Sequence, residues 1–163
     1  LAQLFFEFGE EYRAKQIARA INEYKKNKLV KSTHELASIV LTVKRKNKYE
    51  RIHPATQVFQ ALRIITNDEL GNIKVGLKKA MDILDKDGLL VVISFHSLED
   101  RIVKQFFQAA SKGCICPKDF PICLCNQTPQ AEILTRKLVS ATNEELIENS
   151  RSGSAKLRAI RKL

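Results

Sequence analysis

The spacing of apolar residues along the first third of the chain predicts two helices. Apolar positions recur at helical intervals between Glu10 and Tyr24, at Ala14, Ile17, Ala18 and Ile21, which is typical of an amphipathic helix. Ser32, followed three residues later by Glu35, has the form of a capping box. It predicts that a second helix begins there and continues to Val43.

Two more helices are expected before the first strand. Pro54 suits the first turn of a third helix, because its missing N–H group would be unpaired there; we expect its apolar stripe at Phe59, Leu62 and Ile65. A fourth helix extends from Leu70 to Leu84. It must end near a strong turn signal, Asp85-Lys86-Asp87-Gly88.

The unbroken apolar run from Leu89 to Ile93 predicts a buried parallel strand that is covered by helices on both faces. A further helix follows, with Ser97 as its expected cap and Asp100 in its first turn. Its buried face is expected at Val103, Phe106, Phe107 and Ala110. Short strand-like runs at 133–139 and 155–163 flank a small helix at 143–148, so we expect the chain to end as two edge strands of an α/β fold.

Charge favours a polyanionic partner. The 163 residues include 28 basic and 18 acidic side chains, a net charge of +10. Many of the basic residues lie between Lys25 and Arg51 or in the tail after Ser150, and such clusters bind nucleic-acid phosphates. A solvated basic surface is the alternative. The sequence has no apolar run of about 20 residues that could cross a bilayer and no signal peptide, which favours an intracellular protein.

The polar residues after the apolar strand are the first candidate site. Ligands of open α/β sheets bind where strands end and the next helix begins. Ser94, His96 and Glu99 could line a pocket there, and Arg101 could orient a polar substrate. Alternatively, these residues only cap the helix and pair at the surface.

A second candidate region is the segment after His53, where Thr56, Gln60 and Arg63 fall near one helix face. They could contact a base edge or a phosphate. Alternatively, His53 is an amino-terminal cap and the others are surface residues. Basic residues of the tail could also contact phosphate, or lie on the solvent face of an edge strand; they are Lys156 and Arg158.

The four cysteines form two closely spaced pairs, a pattern that can hold one tetrahedral zinc ion. The pairs have one residue between their members, fewer than structural zinc sites usually have. Inert thiols, or disulfides in an oxidising compartment, are the alternatives. The residues are Cys114, Cys116, Cys123 and Cys125.

Several segments, in order, resemble one family of bacterial methyltransferases. The RsmH or MraW family modifies the N4 atom of a cytosine in the decoding region of the small-subunit (16S) ribosomal RNA. The segments that carry the resemblance are Phe8-Gly9-Glu10-Glu11, Ile17-Ala18-Arg19-Ala20-Ile21, His53-Pro54-Ala55-Thr56, Phe59-Gln60-Ala61-Leu62-Arg63, Ile93-Ser94-Phe95-His96-Ser97-Leu98-Glu99-Asp100-Arg101, and Ser154-Ala155-Lys156-Leu157-Arg158.

The resemblance implies the carboxyl-terminal half of a Rossmann-like, S-adenosylmethionine-dependent enzyme. Residues 1–51 would be most of an inserted all-α, RNA-binding subdomain, and residues 52–163 part of the methyltransferase domain, with a cysteine-rich loop at 113–126. The chain starts at Leu1 and not at Met, and we expect it to be part of a longer protein. The glycine-rich turn that would hold S-adenosylmethionine has no counterpart in the sequence, so we expect the chain alone to be inactive.

The family also implies partners and roles. Ser94, His96 and Glu99 would line or support the base pocket, and the partner would be 16S rRNA in the small ribosomal subunit. A bacterial cytoplasmic location is implied, with an organelle as the alternative, and a homodimer of the full-length protein is left open. An RNA-binding module without catalysis is the alternative function. The residues implied to hold RNA phosphate are Arg19, Lys25, Arg45, Arg63 and Lys156.

Overall fold

The computed structural model describes residues 1–45, 52–113 and 128–163, which form two compact units, Leu1–Glu69 and Leu70–Leu163. The first unit contains four helices: α1 (Ala2–Gly9), α2 (Ala14–Asn27), α3 (Thr33–Val43) and α4 (Thr56–Thr66). The second contains α5 (Glu69–Ile83), β1 (Leu89–Ser94), α6 (Ser97–Ser111), β2 (Ala131–Ile133), β3 (Val139–Ser140), α7 (Asn143–Glu148) and β4 (Lys156–Lys162), with a 3-10 helix at Ser150–Ser154.

The helical unit is held together by one apolar core. The predicted stripe of α2 is buried there, at Ala14, Ile17, Ala18 and Ile21. The capping box at the start of α3 is also confirmed: the Ser32 hydroxyl accepts the Glu35 N–H, and the Glu35 carboxylate accepts the Ser32 N–H. Local sequence signals therefore located both helices.

Helix α4 lies in this first unit, although the sequence placed it beyond a boundary at residue 51. It packs closely on α1, because Gly9 has no side chain to separate the two helices. The expected stripe at Phe59, Leu62 and Ile65 is displaced by one residue, since the buried positions of α4 are Val58, Ala61 and Ile64. Both sets repeat every three residues, so only the packing against α1 selects between them.

The sheet of the second unit is antiparallel, with the strand order β1-β4-β2 and β3 also paired with β4. The expectation of a parallel strand buried on both faces is corrected. Leu90 and Val92 pack on one face against the core of α5 and α6, whereas Leu89, Val91 and Ile93 are each more than half exposed on the other. Strand β4 is central among the described strands and is not the expected edge, because β1 and β2 lie on its two sides.

Candidate functional site

The turn that joins β1 to α6 is closed by its own side chains. His96 precedes the helix with an extended backbone, and its Nδ1 accepts the Glu99 N–H at 3.4 Å. The Glu99 carboxylate in return accepts the N–H groups of Phe95 at 2.8 Å and of His96 at 3.3 Å. The prediction that Ser97 caps this helix was wrong by one residue, because an imidazole nitrogen accepts a backbone N–H as a hydroxyl does.

This turn is not a cradle for a nucleotide-like cofactor. The sequence Ser94-Phe95-His96-Ser97 contains no glycine, and the Glu99 carboxylate occupies the N–H groups that would otherwise bind a phosphate or carboxylate. The residues present therefore do not fit an S-adenosylmethionine site of the glycine-rich kind at this position.

Two of the three predicted base-pocket residues lie together. His96 Nε2 is 3.2 Å from Glu99 Oε1. This nitrogen atom is buried, and it has no hydrogen bond of good geometry to any described residue. Ser94 is 4% exposed, and its hydroxyl donates to the Lys156 backbone carbonyl at 3.4 Å. Ser94 thus ties the end of β1 to β4, while His96 and Glu99 form the polar rim of the turn.

An ion pair connects α6 to the central strand. Arg158 donates two hydrogen bonds to the Asp100 carboxylate, at 2.6 and 3.0 Å, and both side chains are largely buried. These bonds hold the pKa of Asp100 below its ordinary value and raise the pKa of Arg158 above its own. Burial of the two charged groups opposes both shifts but is the smaller effect. The alternative that Arg158 lies on a solvent face is corrected, because its guanidinium group is largely buried against Asp100; its contact with RNA phosphate stays a prediction. Arg101 is exposed on α6.

A buried carboxylate organises the turn between α1 and α2. Glu11 is 1% exposed and accepts the Arg13 N–H and the Lys44 ammonium group, both at 3.0 Å. Lys44 also donates to Gln57 at 2.8 Å, and Gln57 donates to the Glu10 carbonyl at 3.2 Å. Sequence reasoning missed this network for two reasons. Lys44 and Gln57 are far from Glu11 along the chain, and no local sequence signal shows that Glu11, and not its neighbour Glu10, is the buried carboxylate.

The segment after His53 is partly structural. His53 Nδ1 accepts the Ala55 N–H at 3.2 Å. The alternative that His53 is the amino-terminal cap of the helix is corrected, because Ala55 is the cap residue of α4 and no side chain caps it. Arg63 forms two hydrogen bonds with the Glu69 carboxylate, at 2.7 and 3.1 Å, and this pair occupies part of the guanidinium that was predicted to hold RNA. Thr56 is exposed and Gln60 half-buried.

Among the described residues of the helical unit, the exposed cations lie mainly on α2 and the segment after it. Arg19 and Lys25 are exposed on α2, and Arg45 is exposed after α3. Lys28 is paired with Glu35 at 2.6 Å; this bond and the Lys31 N–H lower the pKa of Glu35 to about 2. Of the residues predicted to hold phosphate, Arg19, Lys25 and Arg45 are accessible because their side chains are exposed. Lys156 is half-buried in β4.

The four cysteines lie outside the described residues, so the zinc hypothesis stays a prediction. Within the described parts of the chain, no helix is both long enough and apolar enough to span a membrane.

A basic four-helix unit and an α/β unit, whose strand-to-helix turn carries imidazole and carboxylate groups, define a mixed α/β protein. Residues 1–163 match the MraW methylase family, and the chain belongs to that family. Among its relatives are proteins named ribosomal RNA small subunit methyltransferase H. Those of Carboxydothermus hydrogenoformans and Syntrophotalea carbinolica are 49% and 48% identical over 164 residues.

The chain spans about half the length of these curated relatives. Each comparison covers the whole chain but only 52% of the length of the two relatives above. The relative from Dehalococcoides mccartyi is 46% identical to the chain, which covers 46% of its length. The prediction of family membership is confirmed. The assignment to the carboxyl-terminal half stays a prediction.

Proposed function

We propose that this chain is part of an S-adenosylmethionine-dependent methyltransferase that modifies the N4 atom of a cytosine in 16S rRNA in the bacterial cytoplasm. One observation carries the proposal: the family match extends over the whole chain, and the relatives are named as methyltransferases of small-subunit ribosomal RNA. In this reaction the sulfonium–methyl bond breaks, a carbon–nitrogen bond forms at N4, and N4 loses a proton.

The described residues support a division of labour. Exposed cations of the helical unit, among them Arg19 and Lys25, provide phosphate contacts. The closed turn holds His96 and Glu99 rigidly at the end of β1, where they support the wall of the base pocket. The cofactor would be held by residues outside this chain, because the β1–α6 turn does not fit it. Substrate alignment would then be the main contribution of this half to catalysis.

Salt-dependent binding tests the RNA part of the proposal. We expect the 163-residue chain to bind a decoding-region fragment of 16S rRNA with an affinity that falls steeply with salt. The double variant Arg19→Gln, Lys25→Gln should reduce the slope of log K against log salt by about 1 to 2. The matched control is Lys78→Gln, Lys79→Gln, which removes two exposed cations from α5 and should leave the slope unchanged. Equal slopes in both variants would contradict the proposed interface.

Methyl transfer tests the catalytic part. We expect no methyl incorporation into small ribosomal subunits with the chain alone. Activity should return when it is mixed with a polypeptide that carries the other half of a relative. Robust turnover by the chain alone would disprove the proposed division, and RNA binding without restored turnover would favour an RNA-binding module.

A further inference from the structure

Two exposed aromatic rings of the helical unit line the same cavity. Phe6 on α1 is 57% exposed, and Tyr12 in the α1–α2 turn is 90% exposed. Both line one open cavity of about 1000 Å³. Exposed rings that border a common cavity mark a binding surface more often than scattered apolar residues do.

The turn that displays Tyr12 is fixed in place. Its neighbours on both sides are anchored, because the buried Glu11 carboxylate accepts the Arg13 N–H and the Lys44 ammonium group. The Arg13 guanidinium also donates to the Val43 carbonyl at 2.8 Å. The backbone that carries Tyr12 therefore needs little further ordering when a ligand covers the ring, which favours binding.

The charge around the cavity identifies the ligand. Its other lining residues include the cations Arg13 and Lys15 and the amides Gln3 and Gln16, and none of the described lining residues is acidic. Arg19 lies one turn beyond Lys15 on the same side of α2, and it is exposed. Aromatic rings beside cations are the features that bind single-stranded nucleic acid, since each base has a face that stacks and each nucleotide has a charged phosphate.

We propose that Phe6, Tyr12, Arg13 and Lys15 form a stacking platform for an unpaired base of RNA, with the cations on the adjacent phosphates. This inference rests on the proposed function, since it assumes that the chain binds ribosomal RNA. It adds base stacking to the phosphate contacts already proposed for Arg19 and Lys25 of the helical unit.

The chain offers a direct optical test, because it contains no tryptophan. A Tyr12→Trp variant carries a single indole at the proposed platform. Its fluorescence should be quenched by a short unstructured oligoribonucleotide, at the same RNA concentrations that raise the anisotropy of a labelled oligonucleotide. The control is Ile147→Trp, which places the indole at an 85% exposed position of α7 beside the acidic residues Glu144, Glu145 and Glu148. No quenching is expected there.

Affinity measurements separate stacking from simple bulk. We expect Tyr12→Leu to weaken RNA binding by about 5- to 100-fold, the range for loss of one stacked base. Tyr12→Phe keeps the ring and should bind like the parent chain. Far-UV circular dichroism should be the same for all variants, since Tyr12 is exposed.

The outcomes distinguish the two proposals. If the parent chain binds RNA but Tyr12→Leu binds equally well and the Tyr12→Trp indole is not quenched, the platform is refuted and the proposed function stands. If the parent chain does not bind RNA at low salt, the platform and the RNA-binding part of the proposed function are both refuted, and the methyl-transfer experiment decides the catalytic part.

Discussion

Substitution of Gly9 by alanine should destabilise the helical unit, although alanine is normally the better helix residue. Gly9 ends α1 and is buried against α4. A Cβ atom placed there would overlap the Gln57 carbonyl oxygen and lie 3.3 Å from the Ala61 Cβ atom. No glycine in the described residues has a positive φ, so conformational strain is not the cause.

The magnitude follows from two opposed terms. Alanine gains about 1 kcal/mol in intrinsic helix propensity over glycine. Overpacking costs about 1–3 kcal/mol, and because this overlap is with the backbone of α4, which cannot rotate away as a side chain can, we take the upper part of that range, about 2–3 kcal/mol. We therefore expect a net loss of about 1–2 kcal/mol for Gly9→Ala. The control is Gly76→Ala in α5, where nothing lies within 4 Å of the added atom. That variant should gain about 0.5–1 kcal/mol.

Tyrosine fluorescence isolates the relevant unit. Two of the three tyrosines, Tyr12 and Tyr24, lie in the first unit, the third, Tyr49, falls between α3 and α4 in the sequence and outside the described residues, and the chain has no tryptophan. In urea, Gly9→Ala should lower the midpoint of the tyrosine transition by about 1–2 M, for an m value near 1 kcal/mol/M. Gly76→Ala should leave that midpoint unchanged and raise the midpoint seen by far-UV circular dichroism. A tyrosine midpoint for Gly9→Ala at or above that of the parent chain would refute the close approach of α1 and α4.

Three further predictions concern charged groups. Asp100→Asn should lower the free energy of unfolding at pH 7 by about 2–3 kcal/mol, because it leaves Arg158 largely buried and without its charged partner. Since the pKa of Asp100 is lowered by folding, its contribution is full above the unfolded value of about 3.9 and is lost progressively as pH falls from there through the lower pKa of the folded state. Urea titrations of both proteins should therefore converge in acid, and a constant gap would contradict this. The pKa of Glu35, about 2, should rise towards about 4.3 in Lys28→Met; an unchanged NMR titration would rule out that ion pair. Lys162→Met removes hydrogen bonds at 2.9 Å to the Met81 carbonyl, in the last turn of α5, and at 2.5 Å to the Leu84 carbonyl, just after that helix. It should lower the free energy of unfolding, measured in urea, by about 1–2 kcal/mol; unaltered stability would show that water replaces these bonds.

Local patterns predicted the features that depend on neighbouring residues. The capping box at Ser32 and Glu35 is confirmed because both partners lie within one helical turn. The helix at 143–148 is also confirmed, and the Thr142 hydroxyl accepts the Glu145 N–H at its start. The error at Ser97 has a local cause, since two adjacent residues could each have capped α6.

The candidate site depended on contacts that spacing does not reveal. Arg158 was predicted to hold RNA but lies against Asp100, 58 residues earlier in the chain. Lys44, which sequence reasoning did not single out, meets the buried Glu11 across 33 residues. Ionisable residues look alike in a sequence whether they are paired or free, so their roles follow only from the fold.

The sequence alone determined the family and the excess of positive charge. It also determined most helices and the apolar strand, because hydrophobic periodicity and caps act over a few residues. Tertiary structure decided the antiparallel pairing of β1 with β4, the buried face of α4, and which charged groups remain accessible. The physical reason is distance along the chain. A strand's partner, a helix's neighbour and a cation's counter-ion are chosen by packing and burial between segments that are far apart in sequence.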